Sequence, residues 1–443
     1  MRIEDLPKLP AMAILEKLVG GLPPEYGVSL YSVGFEGAIR QMIKDQVDTL
    51  ITCGDGFFKL IIAPWGNGKT HFMREFREKM MEYKNGFACS FLEINPGAEK
   101  NLLNLDYVFR EIIEKLEFPK SQKEIEEIIQ RKSDFVETRG LVNALEFWIQ
   151  QKKMSMKDDE FKGFIKITKN KILNDKKMTS VFKQAINHVI AGTVSNDLHT
   201  LDNIKSFFNG SLDKQKAPQY GLYDKITPSN YQLYLRSLSS LMKVLGFEGL
   251  VIGIDEAEIG TMKISDGKRL NVSIILTSIF NWVNSDLGNT VFLIAVTNES
   301  QVNQHGALKG RLETPYDANN PLGVKIDVSH MMNDDTDEIW RETLKQIGKK
   351  ILKIYEIGYE VKLDNTIVNE SLNNISDAAL EFKRGLNANR RAFIMKWITC
   401  LNLIKRNPNK SIDKEKAKEI FSNRKSDESD NISESNFSNE FQS

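Results

Sequence analysis

Cysteine is scarce in this sequence of 443 residues. The three that occur, Cys53, Cys89 and Cys400, are widely separated and form no CxxC pair. The five histidines likewise show no spacing of the kind that binds a metal ion. We therefore expect neither disulfide bonds nor a zinc site, which fits a chain kept in the reducing cytoplasm.

Long apolar runs and an excess of one charge are also missing. The longest apolar stretches, such as residues 291–296, are far too short to cross a bilayer. The first ten residues, MRIEDLPKLP, carry acids and prolines where a secretion signal needs an apolar run. The 60 basic residues balance 60 acidic ones, so any contact with DNA requires a local basic patch. These absences predict a cytoplasmic protein that does not bind membranes.

Five short apolar runs have the length of buried strands. They are residues 57–63, 88–94, 249–254, 291–296 and 324–328. The segments between them show the three- and four-residue apolar spacing of amphipathic helices. Strands that alternate with helices indicate a parallel α/β sheet.

The length favours two domains, and one or three are also compatible with it. We assign a helical segment to residues 1–30 and an α/β core to residues 31–330. Residues 331–424 form a helical lid, winged-helix-like although without a convincing β-wing, and the Ser-rich acidic tail 425–443 is expected to be disordered. Within the core, residues from about 100–200 are helical in period and poor in glycine, which is typical of a helical insertion.

The segment after the first strand has the composition of a phosphate-binding loop. Such a loop wraps backbone amides around phosphate oxygens and supplies a lysine for the phosphates and a hydroxyl for Mg²⁺. In APWGNGKT the two glycines permit the tight turn, and the helix that follows points its positive end at the phosphates. Ala63 stands where the usual GxxxxGK[ST] pattern begins with glycine, and alanine is the smallest replacement. We predict that ATP is bound by Pro64, Trp65, Gly66, Asn67, Gly68, Lys69, Thr70 and His71.

An acidic pair ends the strand at 249–254 and supplies the second half of such a site. An aspartate at the end of a buried strand holds Mg²⁺, and a neighbouring glutamate orients or deprotonates the attacking water. We assign the metal to Thr70 and Asp255 and the water to Glu256. The alternative is a strand that ends in two solvated acids. The long spacing between Lys69 and Asp255 again indicates an insertion.

Three further polar residues are candidates for contact with the reacting phosphate. Asn298 follows a strand that is expected to lie between the two motif strands, where it can hold the water or the γ-phosphate. Arg311 can neutralise transition-state charge in its own chain or in a neighbour's site. Arg391, preferred over Arg390, can reach the γ-phosphate from the lid. The alternatives are a loop asparagine without a role and arginines in surface salt bridges.

Six segments together resemble the AAA+-type ATPases and, more narrowly, the ATP-binding protein family of BREX and related methylation-associated phage-defence systems. They are SVGFE at 32–36, FFKLIIAPWGNGKTHFMREF at 57–76, IKSFFNGS at 204–211, LSSLMKVLGFEGLVIGIDEAE at 238–258, ALKGRL at 307–312 and RRAF at 390–393. The segment ending in the acidic pair is the most specific match. Ala63 departs from the family's glycine, and RRAF lacks the proline often seen before its arginine.

The resemblance implies a P-loop NTPase fold of the AAA+/ASCE-like type, with a parallel sheet, a large helical insertion and a C-terminal helical lid. It implies ATP and Mg²⁺ as ligands, an ATP-dependent homo-oligomer, and other defence-system subunits and DNA as partners. A DNA-loading ATPase of the replication-initiator or transposition-regulator type shares these motifs and stays open as an alternative. A nucleotide-sensing scaffold that does not hydrolyse ATP is the third hypothesis.

A basic run at residues 162–177 lies inside the helical region. It is either a solvated helix face or a patch that contacts DNA. Partner-specific function tends to be located in insertions of this kind.

Overall fold

The structure, a computed structural model, describes residues 2–64, 67–93, 105–121, 124, 138–257, 266–297, 310, 314–317, 319–328, 336–382 and 390–422, without the side chains of 266–273. The chain divides into two compact units. One comprises residues 35–332, and the other joins residues 1–34 to residues 333–443. Within the described ranges, no helix combines the length and the apolar character needed to cross a membrane.

The larger unit contains a six-stranded, mostly parallel sheet in the order β3-β2-β4-β5-β1-β6. Its strands are β1 (Phe57–Ile62), β2 (Phe87–Glu93), β3 (Leu116–Glu117), β4 (Gly249–Asp255), β5 (Thr290–Val296) and β6 (Lys325–Asp327). All neighbouring pairs are parallel except β2 and β3. Every residue of β4 and β5 is buried, as expected for central strands of a parallel sheet that is covered on both faces.

The helices of both units, in chain order, are α1 (Lys8–Val19), α2 (Val28–Tyr31), α3 (Glu36–Met42), α4 (Lys69–Glu82), α5 (Leu105–Glu114), α6 (Leu141–Ser155), α7 (Asp158–Asn174), α8 (Ser180–Ser195), α9 (Leu198–Phe208), α10 (Tyr231–Leu245), α11 (Asp266–Ser285), α12 (Asp337–Tyr359), α13 (Asn365–Phe382), α14 (Arg390–Arg406) and α15 (Lys414–Ser422). A π-helical stretch, Ile43–Ile51, continues α3, and short 3₁₀ helices occur at Ile3–Asp5 and Ala217–Tyr220. The alternation of strand and helix around the sheet confirms the predicted mixed α/β class.

The five predicted strands are all present, with ends that differ from the expected ones by at most one residue. The strand β3 was not expected, because its two residues lie in the amphipathic stretch at 105–118. The helix there ends at Glu114, and Leu116 and Glu117 pair antiparallel with Ser90 and Cys89. This short strand covers the backbone groups of β2, which would otherwise form an open edge.

Helices α5 to α10 lie between β2 and β4 in the chain and share a hydrophobic core with the sheet. Rings of α5, α8 and α10 meet at Tyr234, which contacts Phe109 and Phe182 edge-on. Asp175 ends α7 by accepting hydrogen bonds from the backbone amides of Lys177 and Met178, which directs the chain into α8. The helical region that the sequence predicts to be an insertion is therefore a packed part of the larger unit.

The smaller unit contains helices joined by turns, and no strand occurs among its described residues. Helices α1, α2 and α12 to α15 surround one apolar core. At its centre Trp397 is fully buried and donates its indole N–H to the carbonyl of Gly348 at 2.9 Å. A side chain at Gly348 would lie 2.4 Å from Leu372, so the glycine permits the close approach of α12 and α13.

Candidate nucleotide site

The carboxyl ends of three neighbouring strands meet at one edge of the sheet. β5 lies between β1 and β4, as expected. Ile62 at the end of β1 aligns with Val296 of β5, and Ile254 of β4 aligns with Ile294. Because the three strands are parallel, the residues that follow them converge, and ligands of open α/β sheets bind at this edge.

The loop after β1 begins in the core and ends at a left-handed glycine. Ala63 is fully buried and donates its backbone N–H to the carbonyl of Val296 at 3.3 Å, so the loop leaves the sheet in a fixed position. Gly68 precedes α4 with φ +86°, a conformation that glycine adopts without strain. Its carbonyl accepts the N–H of Phe72 at 2.8 Å and so starts the helix. The backbone amides of the first turn of α4, for which the helix itself supplies no carbonyl, therefore lie beside the strand ends.

Lys69 is almost fully buried in the first turn of α4, with 6% of its surface exposed. Its ammonium group donates to the carbonyl of Ala63 at 2.7 Å and to that of Pro64 at 3.4 Å. The side chain thus curves back over the loop that precedes it. A buried cation held by neutral carbonyls is well suited to exchange those partners for phosphate oxygens.

Thr70 and Asp255 bring the two sequence motifs into direct contact. The Thr70 hydroxyl donates to Oδ2 of Asp255 at 2.5 Å, and Oδ1 of Asp255 accepts the backbone N–H of Glu256 at 3.0 Å. Burial raises the pKa of the Asp255 carboxyl, although these two hydrogen bonds and the charge of Lys69 oppose the shift. A hydroxyl and a carboxylate that converge in a buried position are the oxygen donors that Mg²⁺ uses in such sites.

Glu256 has an unusual backbone. Its φ is +54°, in the left-handed region that residues with a side chain rarely adopt. β4 ends at Asp255, and beyond Glu256 the backbone N–H of Ala257 donates to the carbonyl of Ala295 in β5. Backbone strain of this kind costs on the order of 1–3 kcal/mol and is concentrated at functional sites. The half-buried Glu256 is therefore a candidate for a chemical role at the strand ends.

Glu93 is a second acid at this edge, and the sequence patterns did not single it out. It ends β2 directly beside Asp255 in the parallel register, and its charge contributes to the raised pKa of Asp255. Arg74 of α4 pairs with Glu93 at 3.0 Å and offsets that charge. Glu93 is the next-to-last residue of the predicted strand 88–94, and an acid near the end of a buried strand is the local signal that points to it.

Phe35 also belongs to the site's surroundings. It is buried and packs against the ring of His71 at 5.7 Å and edge-on against Phe72 at 5.5 Å. Its ring tip lies where a side chain at Gly68 would project, at 3.1 Å. Phe35 therefore supports the end of the phosphate loop from one side, a contact that only the folded chain reveals.

A model of the family described as BREX system ATP-binding protein BrxC/D matches residues 6–419 of the chain. The chain belongs to this family. No curated protein and no solved structure matches the chain significantly. Membership in this family confirms the resemblance to the BREX ATP-binding proteins. The family's description names ATP binding within a BREX system.

The range matched by the BREX family model includes every candidate residue of the site. The structure brings together Pro64, Asn67, Gly68, Lys69, Thr70, His71, Asp255 and Glu256. Trp65, Gly66, Asn298 and Arg311 lie outside the described residues. The described part of the chain contains no cluster of three or more His, Cys, Asp or Glu side chains that would hold a metal ion.

The two arginines of RRAF lie in the smaller unit of this BREX protein, at the start of α14. Arg390 donates to the backbone carbonyl of Val33 at 3.0 Å. Arg391 lies against the backbone of Gly21, where an added side chain would come within 2.7 Å of its Nε atom. Within this unit the two side chains therefore hold different segments of the N-terminal region, and the choice of Arg391 as the phosphate-sensing residue stays a prediction.

Proposed function

We propose that the chain is an AAA+-type P-loop ATPase that binds Mg-ATP and hydrolyses it in a BREX defence complex. The observation that carries this proposal is the hydrogen bond between Thr70 and Asp255. It joins the first turn of α4, which follows the loop after β1, to the acidic pair at the end of β4, and β5 lies between these two strands. A phosphate loop and an acidic pair on strands separated by one further strand support the AAA+/ASCE-like class.

Each described residue has a role that follows from its position. The amides at the start of α4 bind the phosphates, and Lys69 exchanges the carbonyls of Ala63 and Pro64 for phosphate oxygens. Thr70 and Asp255 would hold Mg²⁺, which when bound neutralises charge on the phosphate oxygens. Asp255 is fixed by its two hydrogen bonds and is not free to act as a base.

Glu256 is the base in this proposal. Water attacks the γ-phosphorus, the bond between that phosphorus and the bridging oxygen of ADP breaks, and the proton of the water passes to the Glu256 carboxylate. Inorganic phosphate and ADP are then released. A general base of this kind contributes a factor of about 10²–10⁴ to the rate. The left-handed backbone at Glu256 is consistent with a side chain that is aimed by the end of the strand rather than by packing.

Three further residues, which lie outside the phosphate loop and the acidic pair, complete the proposed site. Asn298 holds the attacking water or the γ-phosphate, Arg311 reaches the nucleotide of a neighbouring copy in an ATP-dependent homo-oligomer, and Arg391 senses the γ-phosphate from the lid. The proposed setting is the cytoplasm, with other subunits of the defence system and with DNA as partners. The BREX family assignment supports the subunits, since the family is described as part of such a system.

The test compares two site variants with a control on the same helix. Lys69→Ala should abolish the rise in melting temperature that ATP causes in the wild type, because the charge that faces the phosphates is gone. Glu256→Gln should keep that rise and lose turnover by a factor of about 10² or more, since only the base is removed. Lys79→Ala removes a lysine near the other end of α4 that pairs with Glu82 at 3.8 Å, and it should change neither.

The measurements are phosphate release with and without Mg²⁺ and thermal unfolding with and without ATP. Wild-type turnover in Glu256→Gln would contradict the assignment of the base. An ATP-induced rise in melting temperature that persists in Lys69→Ala would contradict the assignment of the phosphate loop. In cells that carry the complete gene cluster, Lys69→Ala should lose protection against phage.

A further inference from the structure

Helix α7 buries one side and presents lysines on the other. Phe161, Thr168 and Ile172 face the core, whereas Lys162 and Lys166 are exposed. Lys162, Lys166 and Lys169 follow one another at spacings of four and three residues, so they form a stripe along the helix. Lys171, in the last turn, lies on the opposite exposed flank of the helix, and Lys176 and Lys177 follow the helix end. We call these six lysines the α7 lysine face.

The α7 lysine face has few acids to neutralise it. Lys162 pairs with Asp159 at 3.5 Å, but no acid in the described part of the chain forms a salt bridge with the other five lysines. Five lysines on other helices pair with acids of the same or a neighbouring helix. These paired lysines are Lys79, Lys205, Lys345, Lys416 and Lys418.

The acids at the two ends of α7 interact with the helix N-terminus and with backbone N–H groups. Asp158, Asp159 and Glu160 lie in its first turn, where acids favour the helix N-terminus, and Glu160 accepts the backbone N–H of Lys157 at 3.2 Å. Asp175 accepts two backbone N–H groups and the hydroxyl of Ser240. Like charges at three- and four-residue spacing destabilise a helix slightly, by about 0.2–0.5 kcal/mol per pair. The unpaired lysines are therefore not explained by the stability of α7.

We propose that the α7 lysine face binds the phosphate backbone of duplex DNA without regard to sequence. Lysines neutralise phosphates as point charges, and α7, with 17 residues, spans about 25 Å, long enough to follow several phosphates. Base sequence is commonly recognised by arginine, and no arginine occurs between residues 140 and 235. The proposal deepens the proposed association with DNA and depends on no residue of the nucleotide site.

The composition of the face distinguishes DNA from two other partners. Proteins that hold single strands stack bases on exposed aromatic rings, but the aromatic residues of α7, Phe161 and Phe164, are buried or half-buried. Protein interfaces are depleted of lysine and depend on tryptophan, tyrosine and arginine. The exposed Ile167 and Leu173 are the only features of α7 in the described structure that would favour a protein. Duplex DNA fits the face better than either alternative.

The experiment uses the full chain, a labelled random-sequence duplex of about one to two helical turns, and no nucleotide. A variant with Lys166, Lys169, Lys171, Lys176 and Lys177 changed to Gln should bind this duplex at least about 10-fold more weakly at moderate salt. Its plot of log Kd against log salt should be shallower, by up to about 0.9 for each phosphate that the variant no longer neutralises. Turnover of ATP should stay at the wild-type level, because none of these lysines belongs to the nucleotide site.

The matched control removes the same total charge from the paired lysines, by changing Lys79, Lys205, Lys345, Lys416 and Lys418 to Gln. It should bind the duplex with a Kd within about 3-fold of the wild-type value. Equal weakening in the two variants would overturn the proposal, because DNA would then respond only to net charge. Undiminished binding by the α7 variant, no binding by the wild type, or tighter binding of a single strand of the same length would each overturn it as well. None of these results would affect the ATPase proposal, which rests on phosphate release.

Discussion

Charged side chains occur in opposite settings at the strand ends and on α7. Lys69 and Asp255 are 6% and 5% exposed, and each has hydrogen-bond partners at fixed distances. The lysines of the α7 face are mostly exposed, and five of the six lack an acidic partner among the described residues. Burying a charge is costly unless it is paired or hydrogen-bonded, whereas an exposed charge remains solvated by water. The function proposed for the strand ends therefore depends on geometry, and the DNA binding proposed for α7 depends on the sum of charge.

Lys59 is the buried charge for which we expect the largest effect on the free energy of unfolding. It lies in β1 with 1% of its surface exposed, donates to the carbonyl of Gly323, and has its ammonium 4.7 Å from the centre of the Tyr316 ring. Burial lowers the pKa of Lys59 from 10.5 to about 7, although the charge of Asp45 opposes the shift. Below pH 7 both folded and unfolded chains carry this proton, and the folded chain bears the full cost of the buried charge.

Between pH 7 and pH 10.5 the unfolded chain keeps the proton that the folded chain releases, so the free energy of unfolding should rise with pH. Over the whole window this rise amounts to about 5 kcal/mol at most. The variant Lys59→Met lacks this titration. We would measure the free energy of unfolding of both proteins with denaturant from pH 6 to pH 9. The value for the wild type minus the value for Lys59→Met should increase as the pH rises. A constant difference would mean that Lys59 is solvated in the folded chain.

Packing around β4 gives the next largest expected effect. A methyl group at Gly253 would lie 2.5 Å from the Phe91 ring and 2.9 Å from the methyl carbon of Met73. Gly253→Ala should therefore lower the free energy of unfolding by about 1–3 kcal/mol, as overpacking of a core does. Because β4 leads into Asp255, turnover of ATP should fall with it.

Gly37 in α3 supplies the control for Gly253. Nothing lies within 4 Å of a methyl group there, so Gly37→Ala should be neutral or stabilising by up to about 1 kcal/mol. Urea unfolding of the two variants beside the wild type is the measurement. If both glycines tolerate alanine equally, the sheet is less tightly packed at β4 than these distances indicate.

The sequence predicted the strands and the residues of the two motifs because both are local patterns. Apolar runs of strand length marked the five longer strands, but β3 was too short to produce such a pattern. Lys69, Thr70 and Asp255 were identified from their spacing to those strands. Glu93 was not, because its place beside Asp255 follows from the register between β2 and β4.

Contacts between distant segments were beyond the reach of local patterns for the same reason. The packing of Phe35 against His71 depends on where the start of α3 lies relative to α4, and no spacing within either helix reveals it. The basic run at 162–177 was visible in the sequence, but its unpaired lysines became clear only when the rotation of α7 and its neighbours was known.

The smallest expected effect comes from Gly163→Ala, which changes the surface of α7 without changing its charge. Gly163 lies inside the helix, and a methyl group there would have nothing within 4 Å. Glycine in a helix interior costs about 0.5–1 kcal/mol relative to alanine, so Gly163→Ala should raise the free energy of unfolding by up to that amount. It keeps all six lysines, and the Kd for duplex DNA should stay within about 2-fold of the wild-type value. A marked weakening of DNA binding in this variant would show that DNA contacts α7 closely at Gly163. DNA binding by α7 would then depend on geometry, as the strand-end site does, and not on summed charge alone.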